Sequence, residues 1–304
     1  MSVTKIREEE SGPPLTALVS GERSLRVALL TEADTEEVLE FLSPRPIHTV
    51  YLASLVRDNG ISSPLNRGSF FGCRDQRDLL TGVALIGHAT IIETENESCI
   101  EAFAMLAKSS SLGHLIRGEQ EKVKTFWSYY AKGNHAARLL CGELLLELRS
   151  IPGVTEIVPG LRLATMSDLD IVVTVNAEMA CDESGVNPLK RDAQGFRDRT
   201  ALRIGKGRVW VWVEEGQLLF KTDIIAETPQ TIYVEGVYVE PQHRSRGYGL
   251  RCMSQLAGML LQRTNSICLT VNAKADDTQR FYRRAGYEVA SRYDTIYLQS
   301  DSIS

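Results

Sequence analysis

The chain has 304 residues, of which 43% are hydrophobic and 24% charged, and its net charge is −5. That is enough material for two ordinary domains, and the acidic balance argues against nucleic acid as a partner, which calls for a basic surface. No run approaches the roughly 20 apolar residues that cross a bilayer, and the polar start has no apolar signal stretch, so a cytoplasmic protein without membrane attachment is expected.

Residues 1–23 read as a flexible tail. The folded sequence opens with a strand at Leu25-Arg-Val-Ala, then Thr31 as a helix cap and an amphipathic helix over 32–42 whose early carboxylates suit the helix dipole. Strands are expected at 69–73, 79–86 and 89–93, then a helix over 97–107 and a strand over 112–116. A helix over 119–130 and a hairpin near 139–148 close this part. Pro152, Gly153, Pro159 and Gly160 interrupt any regular element, so 151–160 is a linker between a first domain, 24–150, and a second, 161–304.

The second domain begins as the first does, with Leu161-Arg-Leu-Ala, Ser167 as a cap and an amphipathic helix to about residue 180. A helix near 194–204 precedes strands at 208–214, 218–225 and 231–239, with Glu215-Gly216 turning between the first two. A helix over 249–263, a strand over 267–272, a helix over 277–285 and strands near 287–289 and 294–298 complete it. The fold class is α/β, a mixed sheet with helices on both faces, built twice over.

The segment VYVEPQHRSRGYGL, residues 237–250, carries the clearest chemistry. A strand ends at Pro241 and a loop with Arg244, Arg246, Gly247 and Gly249 leads into a helix, so loop N–H groups and the positive helix end converge on an anion site. Glycines let the backbone approach a ligand, and the arginines suit phosphate oxygens. A P-loop pattern is absent, and the loop follows the domain's fourth strand rather than its first, which excludes a dinucleotide fingerprint.

The pattern RxxGxG preceded by VxVxP resembles the acyl-CoA pyrophosphate loop of the GNAT superfamily of N-acyltransferases. Leu269-Thr-Val-Asn272 and FYRRAGY, residues 281–287, extend the likeness in the order of that family's later strand and tyrosine-bearing helix. The full chain, through Leu25-Arg-Val-Ala-Leu-Leu30, CDESGVNP at 181–188 and VEGVYVEP at 234–241, is similar to two-domain actinobacterial-type members. The resemblance implies tandem GNAT-like folds and an acetyl-CoA-dependent transfer of an acetyl group to a primary amine, on a small molecule or a protein lysine. It also implies that Val237, Tyr238 and Val239 pair with the pantetheine arm as an added strand does. Backbone N–H groups of Arg244, Ser245, Arg246, Gly247, Tyr248 and Gly249 would hold the pyrophosphate.

Tyr282 matches the family tyrosine that protonates the departing thiolate, a group that benefits from a nearby donor. Glu235, on the strand lining the reaction centre, and Glu183, after the first helix, are the candidate bases for the amine. The family's asparagine seven positions before the tyrosine is Ala275 here, and Asn272 is the substitute contact for pantetheine. His243 reads as an exposed loop residue and Cys252 as core, which favours direct attack in a ternary complex over an acyl-enzyme.

The first domain's equivalent loop, Glu93-Thr-Glu-Asn-Glu-Ser98, carries three glutamates and no RxxGxG. Like charges repel a pyrophosphate, so this copy is expected to be degenerate. The six cysteines lie far apart without CxxC pairs, and reduced thiols and no metal are expected. A sensor that binds acyl-CoA without turnover is the alternative to an enzyme.

Overall fold

The computed structural model describes residues 25–299 except 111–112, 133–134, 152 and 154–155. The expected tail over 1–23 and the start of the strand expected at 112 lie outside the described residues.

The first half runs β1 (Arg26–Leu29), α1 (Thr35–Leu42), α2 (Pro46–Asn59), β2 (Gly68–Arg74), β3 (Leu80–Gly87), β4 (Ala89–Thr94), α3 (Glu97–Lys108), β5 (Leu115–Glu119), α4 (Gln120–Tyr130) and β6 (Ala137–Leu148). The second runs β7 (Leu161–Leu163), α5 (Leu169–Ser184), α6 (Pro188–Gly205), β8 (Val209–Glu214), β9 (Gln217–Glu227), β10 (Thr231–Val239), α7 (Tyr248–Leu260), β11 (Ser266–Asn272), α8 (Asp276–Arg284) and β12 (Glu288–Leu298). Among the described residues no helix is long and apolar enough to cross a membrane.

Both halves start with the same local device. Thr31 donates its N–H to the Asp34 carboxylate at 2.8 Å, and Thr165 does the same to Asp168 at 2.8 Å. Each is a capping box that satisfies free donors at the start of a helix. The second cap is thus Thr165 rather than Ser167, whose hydroxyl instead meets that of Thr165 at 2.7 Å.

All strands form one sheet in the order β1-β2-β3-β4-β5-β12-β6-β11-β10-β9-β8-β7. The last strand of each half is therefore exchanged: β12 lies beside β5 of the first half, and β6 lies beside β11 of the second. The segments expected as a hairpin near 139–148 and as two strands near 287–298 are single strands, twelve and eleven residues long. The irregularity in the second is a bulge at Ala290, between the pairs made by Val289 and Ser291. β6 sits in mid-sheet, where Leu144, Leu145, Leu146 and Leu148 are all buried. A strand covered on both faces reads as a continuous apolar run rather than an alternating one.

Helix α2 had no counterpart in the sequence reading. It packs against β9 and β10 of the second half as well as against α1, burying Val50, Leu52, Ala53 and Val56 in two separate clusters. A helix buried on two sides lacks the single apolar stripe that identifies one from sequence. Ser54 accepts the N–H of Glu227 at 3.0 Å, fixing the helix across the halves.

Candidate active site

β10 and β11 run parallel but pair only over Thr231–Tyr233 and Ser266–Cys268. Beyond Tyr233 the strands part. Two register breaks on β10 accompany the split, one between Tyr233 and Val234 and one between Glu235 and Tyr238, with Gly236 at φ +63° between them. Gly236 has a second constraint: a Cβ there would lie 2.7 Å from Nζ of the buried Lys221.

Backbone groups alternate between the two edges of a strand. Glu240 donates its N–H to Leu219 on β9 at 3.0 Å, so Val237 and Val239 direct theirs to the open edge facing the split. Tyr238, opposite Lys221, directs its backbone toward β9, and its side chain joins the cluster under α5 and α6. Of the three expected strand residues, two therefore face the gap.

The loop after β10 makes a short 3-10 turn at Pro241–His243 and then enters α7. Ser245 and Gly247 both adopt positive φ, 60° and 82°. The first helical bond to the loop is Arg251 N–H to Gly247 O at 3.1 Å, and among the described residues the N–H groups of 245–250 have no acceptor. This is a concave set of free donors at a positive helix end, the physical form of an anion site. A Cβ at Gly247 would meet nothing within 4 Å, so that position faces open space, whereas one at Gly249 would press on Val239 and Phe281. Gly247 serves conformation and access; Gly249 serves packing.

Arg244 folds back, its Nε donating to Val239 O at 3.0 Å, while Arg246 is exposed. Tyr248 packs edge-on to Trp212 at 5.0 Å, stacks on His243 at 5.6 Å and lies under the Arg251 guanidinium at 5.0 Å. His243 is accordingly part-buried, not the exposed loop residue expected. Trp212 and Arg251 are neighbours the sequence reading missed.

Tyr282, on α8, is buried in the core between the sheet and α7, edge-on to Phe281 and Tyr287. Burial pushes its hydroxyl far above the ordinary tyrosine range, so it is protonated at neutral pH. Cys252 is fully buried in the same core, as expected, and burial raises its thiol to about 12. Asn272 turns its Oδ1 onto the N–H of Lys274 at 2.8 Å, shaping the turn into α8. Ala275 occupies the cap of that helix.

On the face of the sheet covered by α2 and α5, Glu235 lies in a network spanning both halves. Arg117, from β5 of the first half, donates to Glu235 at 2.9 Å and to the Tyr233 hydroxyl at 2.7 Å. The Tyr233 hydroxyl donates in turn to Glu235 at 2.6 Å. Arg117 also reaches Glu143 of β6 at 3.4 Å, and Glu143 accepts from Thr270 at 3.1 Å and Thr295 at 2.6 Å. Burial pushes the Glu235 carboxyl up, but Arg117 and Tyr233 outweigh it and hold it below the usual range. Glu183, near the end of α5, shows the opposite balance: desolvation, and then the Glu235 charge, raise it. Arg117 and Glu143 could not be found from sequence, because no local signal links residues more than ninety positions from Glu235.

The first half holds a second split, between β4 and β5, which pair only at Ala89–Leu115 and Thr90–Ile116. Here charged side chains bridge the strands and the loop that follows β4. Arg45 pairs with Glu93, Glu95 and Glu119 at 2.7 Å each, and Lys122 with the same three at 2.9–3.2 Å. The glutamates of the acidic loop are thus neutralised from within, except Glu97, which opens α3 and accepts from Tyr129 at 3.3 Å. Among the described residues no group of three or more potential metal ligands gathers.

The family model described as an acetyltransferase (GNAT) domain matches residues 205–289, the segment holding β10, the loop and Tyr282. No curated protein matches the chain. Among solved structures, a GNAT-family acetyltransferase from Colwellia psychrerythraea superposes with a TM-score of 0.54 at 12% identity, covering 90% of this chain and 100% of that one. A GCN5-related N-acetyltransferase from Sphaerobacter thermophilus gives 0.55 at 14%, covering 90% and 94%. A tandem GNAT protein from the clavulanic acid biosynthesis pathway gives 0.57 at 10%, covering 92% and 100%. Identities this low establish the shared fold. The chain thus shares the fold of GNAT acetyltransferases over both halves, and the acetyltransferase (GNAT) domain model matches within its carboxy-terminal half.

Proposed function

We propose that the chain transfers an acetyl group from acetyl-CoA to a primary amine by direct attack in a ternary complex. The observation that carries this reading is the continuity of the open β10 edge at Val237 and Val239 with the free N–H groups of 245–250. A pantetheine arm laid along the edge would leave its pyrophosphate at the loop, with Arg246 nearby for charge.

The amine nitrogen attacks the thioester carbonyl carbon, the carbon–sulfur bond breaks, the thiolate takes a proton from Tyr282, and the second nitrogen proton, lost as the amide forms, passes through solvent to restore the phenol. Tyr282 keeps its proton at neutral pH, as a donor must. The ammonium form of the acceptor must first lose a proton. Glu183, whose carboxyl is raised, suits that role better than Glu235, which Arg117 and Tyr233 hold as a carboxylate. Glu235 then acts by its charge, favouring a cationic group at the centre.

Calorimetry of acetyl-CoA binding tests the donor site. Gly247→Asp is expected to abolish binding by setting a carboxylate against the pyrophosphate. Gly247→Ala controls for the positive φ and is expected to weaken binding less than tenfold. Absence of binding by the folded wild type overturns the reading; binding without CoA release on any amine overturns the transferase step.

A further inference from the structure

On the α2/α5 face side chains from both halves meet, and most of the charges there have a partner. Arg117 is taken by Glu235 and Glu143, Arg203 and Lys221 by Asp223, and Arg199 by Asp192. Arg138 donates to Ser184 O at 2.7 Å and covers the Tyr297 ring at 5.5 Å. Two guanidiniums remain. Arg67, held at φ +54° between α2 and β2, has no side-chain acceptor among the described residues. Arg191, just before the break in α6 at Asp192, meets only the ring of His114, at 3.2 Å.

These two belong to one wall. His88 donates its backbone N–H to Arg67 O at 2.8 Å, its ring stacks on His114 at 4.9 Å, and His114 packs edge-on to Tyr297 at 6.1 Å. Burial, then the arginine charges, push His88 down to about 3 and lower His114, so neither ring adds or offsets charge. Desolvation and the repulsion of Arg199 and Arg191 lower Arg67 itself. Asp192 is the carboxylate that acts on Arg67, and it is shared with Arg199, so this end carries a net positive charge. The other end holds the Glu183 carboxylate, which has no hydrogen-bond partner among the described residues. Glu183 acts on Tyr297, whose ring packs against His114, so the carboxylate and the two arginines flank the same aromatic pair.

We propose that the acceptor amine carries an anionic group, a carboxylate or a phosphate, which docks between Arg67 and Arg191 while the amine lies by Glu183. This rests on the transferase reading above and narrows its acceptor. Guanidinium forks match both oxyanions, and a molecule with an ammonium at one end and an anion at the other completes the pairing left unmade here.

The test uses hexylamine, 6-aminohexanoate and 6-aminohexyl phosphate, which share one chain length and differ in the far group. With acetyl-CoA saturating, at least one anionic acceptor is expected to show a KM tenfold or more below that of hexylamine. In Arg67→Gln/Arg191→Gln that advantage is expected to vanish; which of the two anions gains more identifies the class. Equal KM values for all three, or an advantage that survives the double variant, overturns the proposal while leaving the transferase reading intact. Should no amine release CoA, calorimetry of 6-aminohexyl phosphate against hexylamine on the CoA-saturated protein decides the same question. Tighter binding of the phosphate, lost in the double variant, upholds it, and equal binding overturns it.

Discussion

Arg117 reaches Glu235 across the junction of the two halves, at 2.9 Å. A residue of the half that lacks the glycine loop thus helps to hold the charge of a carboxylate on β10. The exchange of β6 and β12 makes this possible, because it joins β5 and β10 in one sheet with β12, β6 and β11 between them. Under the proposed function the first half helps to build the active site and is not an appendage to it.

Removing that cation should be felt in stability and in its pH dependence. Arg117→Gln leaves Glu235 and Glu143 facing each other without compensation, and a loss of about 1–3 kcal/mol is expected for a pair that keeps partial solvent contact. Since the folded-state carboxyl of Glu235 is held low, the wild-type advantage should be full above the ordinary glutamate range and shrink as pH falls through the depressed value. Urea unfolding of both proteins at neutral pH and near pH 3 measures this. A gap that does not narrow in acid would refute the assignment.

The two candidate bases should separate in a pH–rate profile. A raised Glu183 carboxyl loses its ability to accept a proton as pH falls, so wild-type kcat/KM should decline on the acid side, above the ordinary glutamate range. Glu183→Gln is expected to lower kcat by about 10²-fold and to flatten that limb. Glu235→Gln should instead alter stability and acceptor KM while the limb persists. If the limb disappears only in Glu235→Gln, the roles are reversed.

Tyr282→Phe removes a proton and no packing of consequence. The expected result is a fall in kcat of about 10²-fold, with the dissociation constant for acetyl-CoA within a factor of about three. Calorimetry and steady-state assays of one preparation suffice. Unaltered kcat would return Tyr282 to an ordinary core role.

What could be read from sequence was what is local. The loop around Gly247, the helix bearing Tyr282 and most strands follow from residues a few positions apart, and the similar openings Leu25-Arg-Val-Ala and Leu161-Arg-Leu-Ala point to two like halves. What could not be read depends on distant pairing. Nothing in the residues of β6 or β12 states that they will swap places, since strand partners are chosen by burial and register over the whole sheet. For the same reason Arg67, Arg117 and Arg191 read as unremarkable surface cations, and the acidic loop at 93–98 gave no hint that Arg45 and Lys122 would pair with it. Thr165 was missed in favour of Ser167 because helix boundaries shift by one or two residues without changing the pattern.

The bulge at Gly236 offers a last test, of how the split in the sheet is maintained. Any side chain there must adopt φ near +63° and also meet the Lys221 ammonium at 2.7 Å. Lys221 cannot swing aside, because it is fully buried and held by Asp223 at 3.1 Å and by Asn176. Gly236→Ala should therefore cost at least the roughly 1–2 kcal/mol of the left-handed conformation. It should also straighten β10 toward regular pairing, closing the edge at Val237 and Val239. Acetyl-CoA binding is expected to weaken by tenfold or more, beyond what the lower urea midpoint alone explains at temperatures where the variant is folded. A variant that loses stability but binds acetyl-CoA as the wild type does would mean that the open edge is set by the rest of the sheet and not by this glycine.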